Sequence, residues 1–213
     1  MKTESMIDVL LAHAGPVPRH VTERRFAIAA MIGVTLAAVL MLMTSGVRAD
    51  IESAARLPMF WFKLLFPAAV AIAAMWMTAR LSRPGVSVGV ASIAVAAPFV
   101  VLWLMAVVAL LNAEPAARID LVLGSTWRTC VPDIALLALP AFVATFWAMR
   151  GLAPTRLALA GAAGGLMAGA IGAMVYALRC PEMESPFLAV WYATGIGVTA
   201  AAGALLGPRL LRW

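Results

Sequence analysis

Leu157 to Leu178 reads Leu-Ala-Leu-Ala-Gly-Ala-Ala-Gly-Gly-Leu-Met-Ala-Gly-Ala-Ile-Gly-Ala-Met-Val-Tyr-Ala-Leu and holds no charged residue. A spanning helix needs about 20 mostly apolar residues, and this stretch has no polar face to offer water. Gly161, Gly165 and Gly169 recur at every fourth position, with Gly164, Ala168 and Gly172 one step round, so a smooth strip runs along the predicted helix. Five comparable runs flank it: Phe26 to Met43, Met59 to Thr78, Val86 to Leu111, Val131 to Met149, and Phe187 to Leu206. The breaks between them carry charge or proline, which a lipid-facing helix tolerates poorly. The expected fold is therefore all-α, a polytopic bundle of six transmembrane helices.

Composition agrees. Of 213 residues, 64% are apolar and 12% charged, and the mean hydropathy is +0.97, whereas soluble domains carry roughly 25% charged residues. A net charge of +6 would suit nucleic acid, but the basic residues lie singly or in pairs at the ends of apolar runs, the pattern that orients a membrane protein. No direct nucleic-acid contact is expected. The N-terminal segment, the second and fourth loops and the C-terminus hold ten Lys and Arg against the three acids Glu4, Asp8 and Glu23, while the other three loops hold five against six acids. By the positive-inside rule both termini are cytoplasmic and Cys130 and Cys180 lie outside. Arg24, Arg25, the first apolar run and Val47-Arg48-Ala49 imitate a secretory signal, but the run exceeds the roughly 7 to 15 residues of a signal core.

The sixth run repeats the small-residue device with Gly195, Thr199, Gly203 and Gly207. Such strips let helix backbones approach closely in lipid, where van der Waals contact drives packing. With a short loop between them, the fifth and sixth spans are expected to pack on each other, a dimer seam being the alternative. Pro67, Pro98 and Pro140 fall inside three spans and are expected to bend them. Lys63 and Asp133 both lie within about one turn of the outer boundary and form a candidate ion pair. The alternatives are that Lys63 snorkels to the interface and that Asp133, just after Pro132, satisfies the start of its helix. Ionisable groups nearer mid-membrane would mark a transport path; that region is almost uniformly Ala, Gly, Leu, Val and Met.

Only two cysteines occur, one entering the fourth span and one leaving the fifth. An outside location permits a disulfide, and reduced thiols near Glu182, Glu184, Met183 and Asp133 can bind a soft or borderline metal ion. Arg128 and Arg179 adjoin them and would favour thiolate. Against a role stands the ease with which Cys packs in apolar helices. There is no C-x-x-C motif, and with His13 and His20 both in the N-terminal arm, acid–base catalysis has little to work with. No enzyme activity and no resident cofactor are expected, apart from a transient metal ion at Cys130 and Cys180.

Residues 1–25 form a separate cytoplasmic segment, and residues 26–213 the membrane domain. Thr3 and Ser5 are N-cap candidates, Ile7, Leu10, Leu11 and Ala14 share a stripe, and Gly15-Pro16 supplies a stop, predicting an amphipathic helix from about Glu4 to Ala14. A helix this short is not stable alone in water, so its apolar face needs lipid headgroups, the bundle or a protein groove.

The chain resembles the NrsF family of integral-membrane anti-sigma factors over nearly its whole length. The resemblance rests on Met1 to Asp8, on Phe60-Trp61-Phe62-Lys63, on Gly124-Ser125-Thr126-Trp127-Arg128-Thr129-Cys130, on Arg179-Cys180-Pro181-Glu182, on Trp191-Tyr192 and on the terminal Gly207 to Trp213. It implies a bacterial inner-membrane protein that sequesters an extracytoplasmic-function (ECF) sigma factor through its N-terminus, with Met6, Ile7, Leu10 and Leu11 as the expected contacts. It further implies that Cys130 and Cys180 match family cysteines that respond to heavy-metal or oxidative stress. Lys63 matches a family position from which no role follows. The competing classes are a small-solute transporter, which lacks a polar pathway, and a membrane thiol oxidoreductase, which lacks a second redox pair.

Overall fold

The computed structural model describes residues 21–83, 85–152 and 154–212. The predicted N-terminal helix, with Met6, Ile7, Leu10 and Leu11, lies outside the described residues. Within them the chain is helical without a strand: α1 (Val21–Thr44), α2 (Ile51–Ala54), α3 (Pro58–Leu81), α4 (Gly89–Asn112), α5 (Arg118–Leu123), α6 (Trp127–Arg150), α7 (Leu157–Tyr176) and α8 (Ser185–Leu210). Six of these are long and apolar enough to cross a membrane, α6 together with the α5 segment ahead of it.

The helices outrun the apolar runs at several ends. α1 begins at Val21 rather than Phe26, carrying Glu23 in its first turn, where a carboxylate suits the positive end of the helix dipole. α6 begins at Trp127 rather than Val131 and takes in Pro132 and Pro140. Two of the breaks between the runs hold the short helices α2 and α5.

α7 is the axis of the bundle. Of its apolar stretch 72% is buried, against 11% for α4, which lies at the edge. The cause is the glycine strip. A β-carbon at Gly161 or Gly203 would overlap the other's carbonyl oxygen, and one at Gly165 would overlap the carbonyl oxygen of Thr199. So α7 and α8 touch backbone to backbone, as the spacing predicts. The next strip round faces α6: a β-carbon at Gly172 would lie 2.7 Å from both the Ala138 nitrogen and the Ile134 carbonyl oxygen. α1 approaches α6 in the same way, with Gly33 against Ala141. The helices continue through Pro67, Pro98 and Pro140.

Alternating direction gives the bundle two chemically different ends. One holds the loops after α1, α4 and α7, with both cysteines. The other holds Arg24, Arg25, Arg80, Arg83, Arg150, Arg156, Arg209 and Arg212, with Glu23 as the only acid among the described residues. It is tied by the Arg83–Glu23 ion pair at 2.6 Å and by Arg150 donating to the Leu210 carbonyl.

Candidate functional site

At the cysteine end, the chain turns from α5 into α6 through Gly124, whose φ of +57° favours glycine. The same position cannot hold a side chain for a second reason: a β-carbon would lie 2.8 Å from the Glu182 carboxylate. Glu182 accepts hydrogen bonds from the Ser125 N–H at 2.7 Å, the Ser125 hydroxyl at 2.6 Å and the Thr126 hydroxyl at 3.5 Å. Partial burial works against its ionisation, but the donors from Ser125 and Thr126 outweigh it and hold the carboxyl below its ordinary range. The Gly-Ser-Thr run before Cys130 is thereby clamped to the Cys-Pro-Glu run at Cys180.

Both cysteines are free thiols, Cys130 wholly buried and Cys180 1% exposed. They belong to one buried cluster that includes Tyr176 and Tyr192, and the Thr126 hydroxyl lies 3.9 Å from the Cys180 sulfur. The expectation that they share an end of the bundle agrees with this geometry. Among the described residues no group of three or more His, Cys, Asp or Glu is placed to hold a metal ion. Any metal held by the thiols would take a third ligand from elsewhere or be two-coordinate.

Lys63 requires a correction. It neither snorkels nor pairs with Asp133: it is fully buried, and its ammonium donates to the Cys180 carbonyl at 2.6 Å and the Glu182 carbonyl at 2.7 Å. These acceptors lie in the loop that follows α7, four and six residues past its last residue, Tyr176. Asp133 instead meets Arg179 at 3.3 Å. Seven positions into α6, it does not cap the helix start either. Arg179, engaged there, and Arg128, stacked over the Trp127 ring at 5.1 Å, have other partners than the thiols.

Arg48 adds a second cation beneath the same loop. Its guanidinium donates to the Cys180 carbonyl at 3.2 Å and its main-chain N–H to Leu178 at 3.3 Å. The hydrogen-bonded ion pair with Asp50 raises its already high pKa further. α8 contributes through an irregularity: Leu188–Tyr192 forms one π-helical turn, a feature frequent at functional sites. From it Trp191 donates to the Val122 carbonyl at 2.9 Å, while Tyr192 enters the thiol cluster. The Tyr192 hydroxyl makes no hydrogen bond among the described residues. Sequence reasoning assigned nothing to Tyr176, Arg48 or the Glu182 clamp. The only available signal was that Glu182, Ser125 and Tyr192 sit within the short motifs around the cysteines.

A helical bundle with six helices of membrane-spanning length, a buried thiol cluster at one end and an arginine-rich opposite end defines the class as a polytopic helical membrane protein. The family model for NrsF, negative regulator of sigma F, matches residues 10–213, and the chain belongs to that family. It is 43% identical to the probable anti-sigma-F factor NrsF of Azospira oryzae and 37% identical to the anti-sigma-F factor NrsF of Caulobacter vibrioides, in each case over the whole of both chains. No solved structure matches it.

Proposed function

We propose that the chain is a bacterial inner-membrane anti-sigma factor that holds an ECF sigma factor through its cytoplasmic N-terminal segment and releases it when Cys130 and Cys180 react outside. The observation that carries this reading is the division of the bundle: the thiols are buried at one end, while α1 begins at the other. The arginine excess at that second end supports a cytoplasmic location for it. The family and its relatives named for anti-sigma-F activity support a sigma factor as the partner. Reaction of a thiol with a soft metal ion or an oxidant disturbs a packed hub tied to α3, α6 and α8, and a change in helix packing reaches the docking segment. Such a relay requires energetic coupling between the two ends.

Transport is disfavoured by the cavities. A groove of about 700 Å³ between α3 and α4 is lined by apolar residues such as Phe62, Leu65, Trp76 and Val101 and offers a solute no polar lining.

The test is a sigma-dependent reporter in cells carrying Cys130→Ser or Cys180→Ser. Serine keeps nearly the shape of cysteine but binds soft metals far more weakly and forms no disulfide. Both variants should insert and repress yet lose induction by metal or oxidant. An unchanged response in both removes the thiols from sensing.

A further inference from the structure

The groove between α3 and α4 is a slot on the outer face of the bundle. Ala69 and Ala73 from α3 and Ala94 and Ala97 from α4 line it, and their short side chains leave the space that larger ones would fill. The edge-to-face pair Phe66–Phe99, with ring centroids 5.4 Å apart, ties the two helices together beside it. From Trp76 to Phe66, both on its wall, α3 advances ten residues, about 15 Å at about 1.5 Å per residue. That is half of a hydrocarbon core about 30 Å thick, the depth to which the acyl chains of one leaflet reach.

At Trp76 the chemistry changes. The same side chain lines a second cavity, of about 240 Å³, at the arginine end, where Glu23, Arg80 and Arg83 also contribute. Arg80 donates from Nε to the Ser87 carbonyl at 2.9 Å and lays its guanidinium over the Trp76 ring, 5.7 Å from the centroid. Glu23 is engaged by Arg83, which leaves the Nη groups of Arg80 without an anion among the described residues. Arg83 lines a further cavity with Arg156. Three guanidiniums and one carboxylate thus surround the mouth of an apolar slot. Basic pockets beside membrane helices suit anionic headgroups. A second copy of the chain fits this pattern poorly: inserted in the same direction, it would bring its own arginine-rich end against Arg80 and Arg83, like charge facing like.

We propose that the slot and the arginine pocket together bind one anionic glycerophospholipid, with an acyl chain between α3 and α4 and the phosphate region at Arg80 and Arg83. The lipid comes from the leaflet at the arginine end. Its chain covers the alanine-lined slot, and its headgroup supplies the anion that Arg80 lacks. The site lies apart from the thiol cluster and does not depend on the sensing reading.

The experiment extracts the full-length chain into micelles holding equal amounts of phosphatidylglycerol and phosphatidylcholine, and identifies retained lipid from the mass of the intact complex. The parent should keep one phosphatidylglycerol in preference to phosphatidylcholine by about fivefold, what one arginine beside an anionic headgroup supplies. Arg80→Gln should bring the two lipids to near-equal retention. Arg209→Gln, at an exposed position of the same end outside these cavities, should leave the preference intact. Ala97→Phe, at an exposed position of the slot, should lose bound lipid of both kinds. Equal retention of both lipids by the parent overturns the proposal, since the groove then holds bulk lipid without reading its headgroup. So does an equal fall in Arg80→Gln and Arg209→Gln, which would reflect surface charge in general. Dimers in place of lipid, broken by Ala97→Phe, would give the groove to a second copy and refute the lipid site. If Arg80→Gln does not insert, the parent and Ala97→Phe decide: a phosphatidylglycerol preference that survives a filled slot rejects the assignment.

Discussion

Gly161→Ala tests the backbone contact between α7 and α8 that holds the bundle together. The added β-carbon would overlap the Gly203 carbonyl oxygen and lie 2.9 Å from the Gly207 α-carbon. Non-bonded carbon atoms rest about 3.5–4.0 Å apart, so the two helices must part by roughly 1 Å. A gap of that size forfeits about a quarter to a half of each atom pair's attraction of about 0.1–0.2 kcal/mol. Over roughly 30 pairs along the seam the loss comes to about 1.5 kcal/mol, within the range of about 1–3 kcal/mol for overpacked cores. Gly197→Ala is the matched control on the same helix pair: it is exposed, and nothing lies within 4 Å of its added methyl. It should be neutral or gain up to about 1 kcal/mol from helix propensity. Equilibrium unfolding in mixed micelles measures both, with protein concentration varied to separate folding from association. Equal stability of the two variants would refute the seam. A concentration-dependent loss confined to Gly161→Ala would show that the strip joins two copies instead.

Reporter fusions at Gly15, Arg83, Thr155 and Trp213 should read cytoplasmic and those at Asp50, Glu114 and Glu184 outside, since the Lys and Arg excess lies on the first set; an outside C-terminus sinks this orientation. Leu10→Asp should release sigma-dependent transcription without stress, because a carboxylate is costly to bury in an apolar groove; a normally inserted variant that still represses excludes the stripe as the docking element. Glu182→Gln should cost about 1 kcal/mol at neutral pH, less than hydrogen bonds to a buried charge because water screens this half-exposed carboxylate. Since the folded state holds Glu182 below its ordinary range, its contribution is complete above about pH 4.3 and fades as pH falls through the lower folded value. Stability curves of parent and variant should therefore converge in acid, and a gap that widens there contradicts the clamp.

The parts of this molecule legible in one dimension are those encoded by period and run length. Hydropathy marked the six spans to within a few residues, because lipid demands an unbroken apolar stretch whatever its neighbours. Fourth-residue glycine spacing marked the α7–α8 seam, because that spacing recurs on one helical side. Span parity placed Cys130 and Cys180 at one end. The starts of α1 and α6 were read short, since Arg24, Arg25 and Arg128 are tolerated in a first turn or two that hydropathy alone rejects. The partners of Lys63 and Asp133 were not legible at all. Both lie toward the cysteine end of the bundle, but which groups they meet depends on how each helix is rotated about its own axis, and that is settled only when all the spans pack together. The acceptors Lys63 found are main-chain carbonyls beyond α7. Every residue carries one, so no side-chain pattern distinguishes the Cys180 and Glu182 oxygens until tertiary packing brings a lysine from α3 against them.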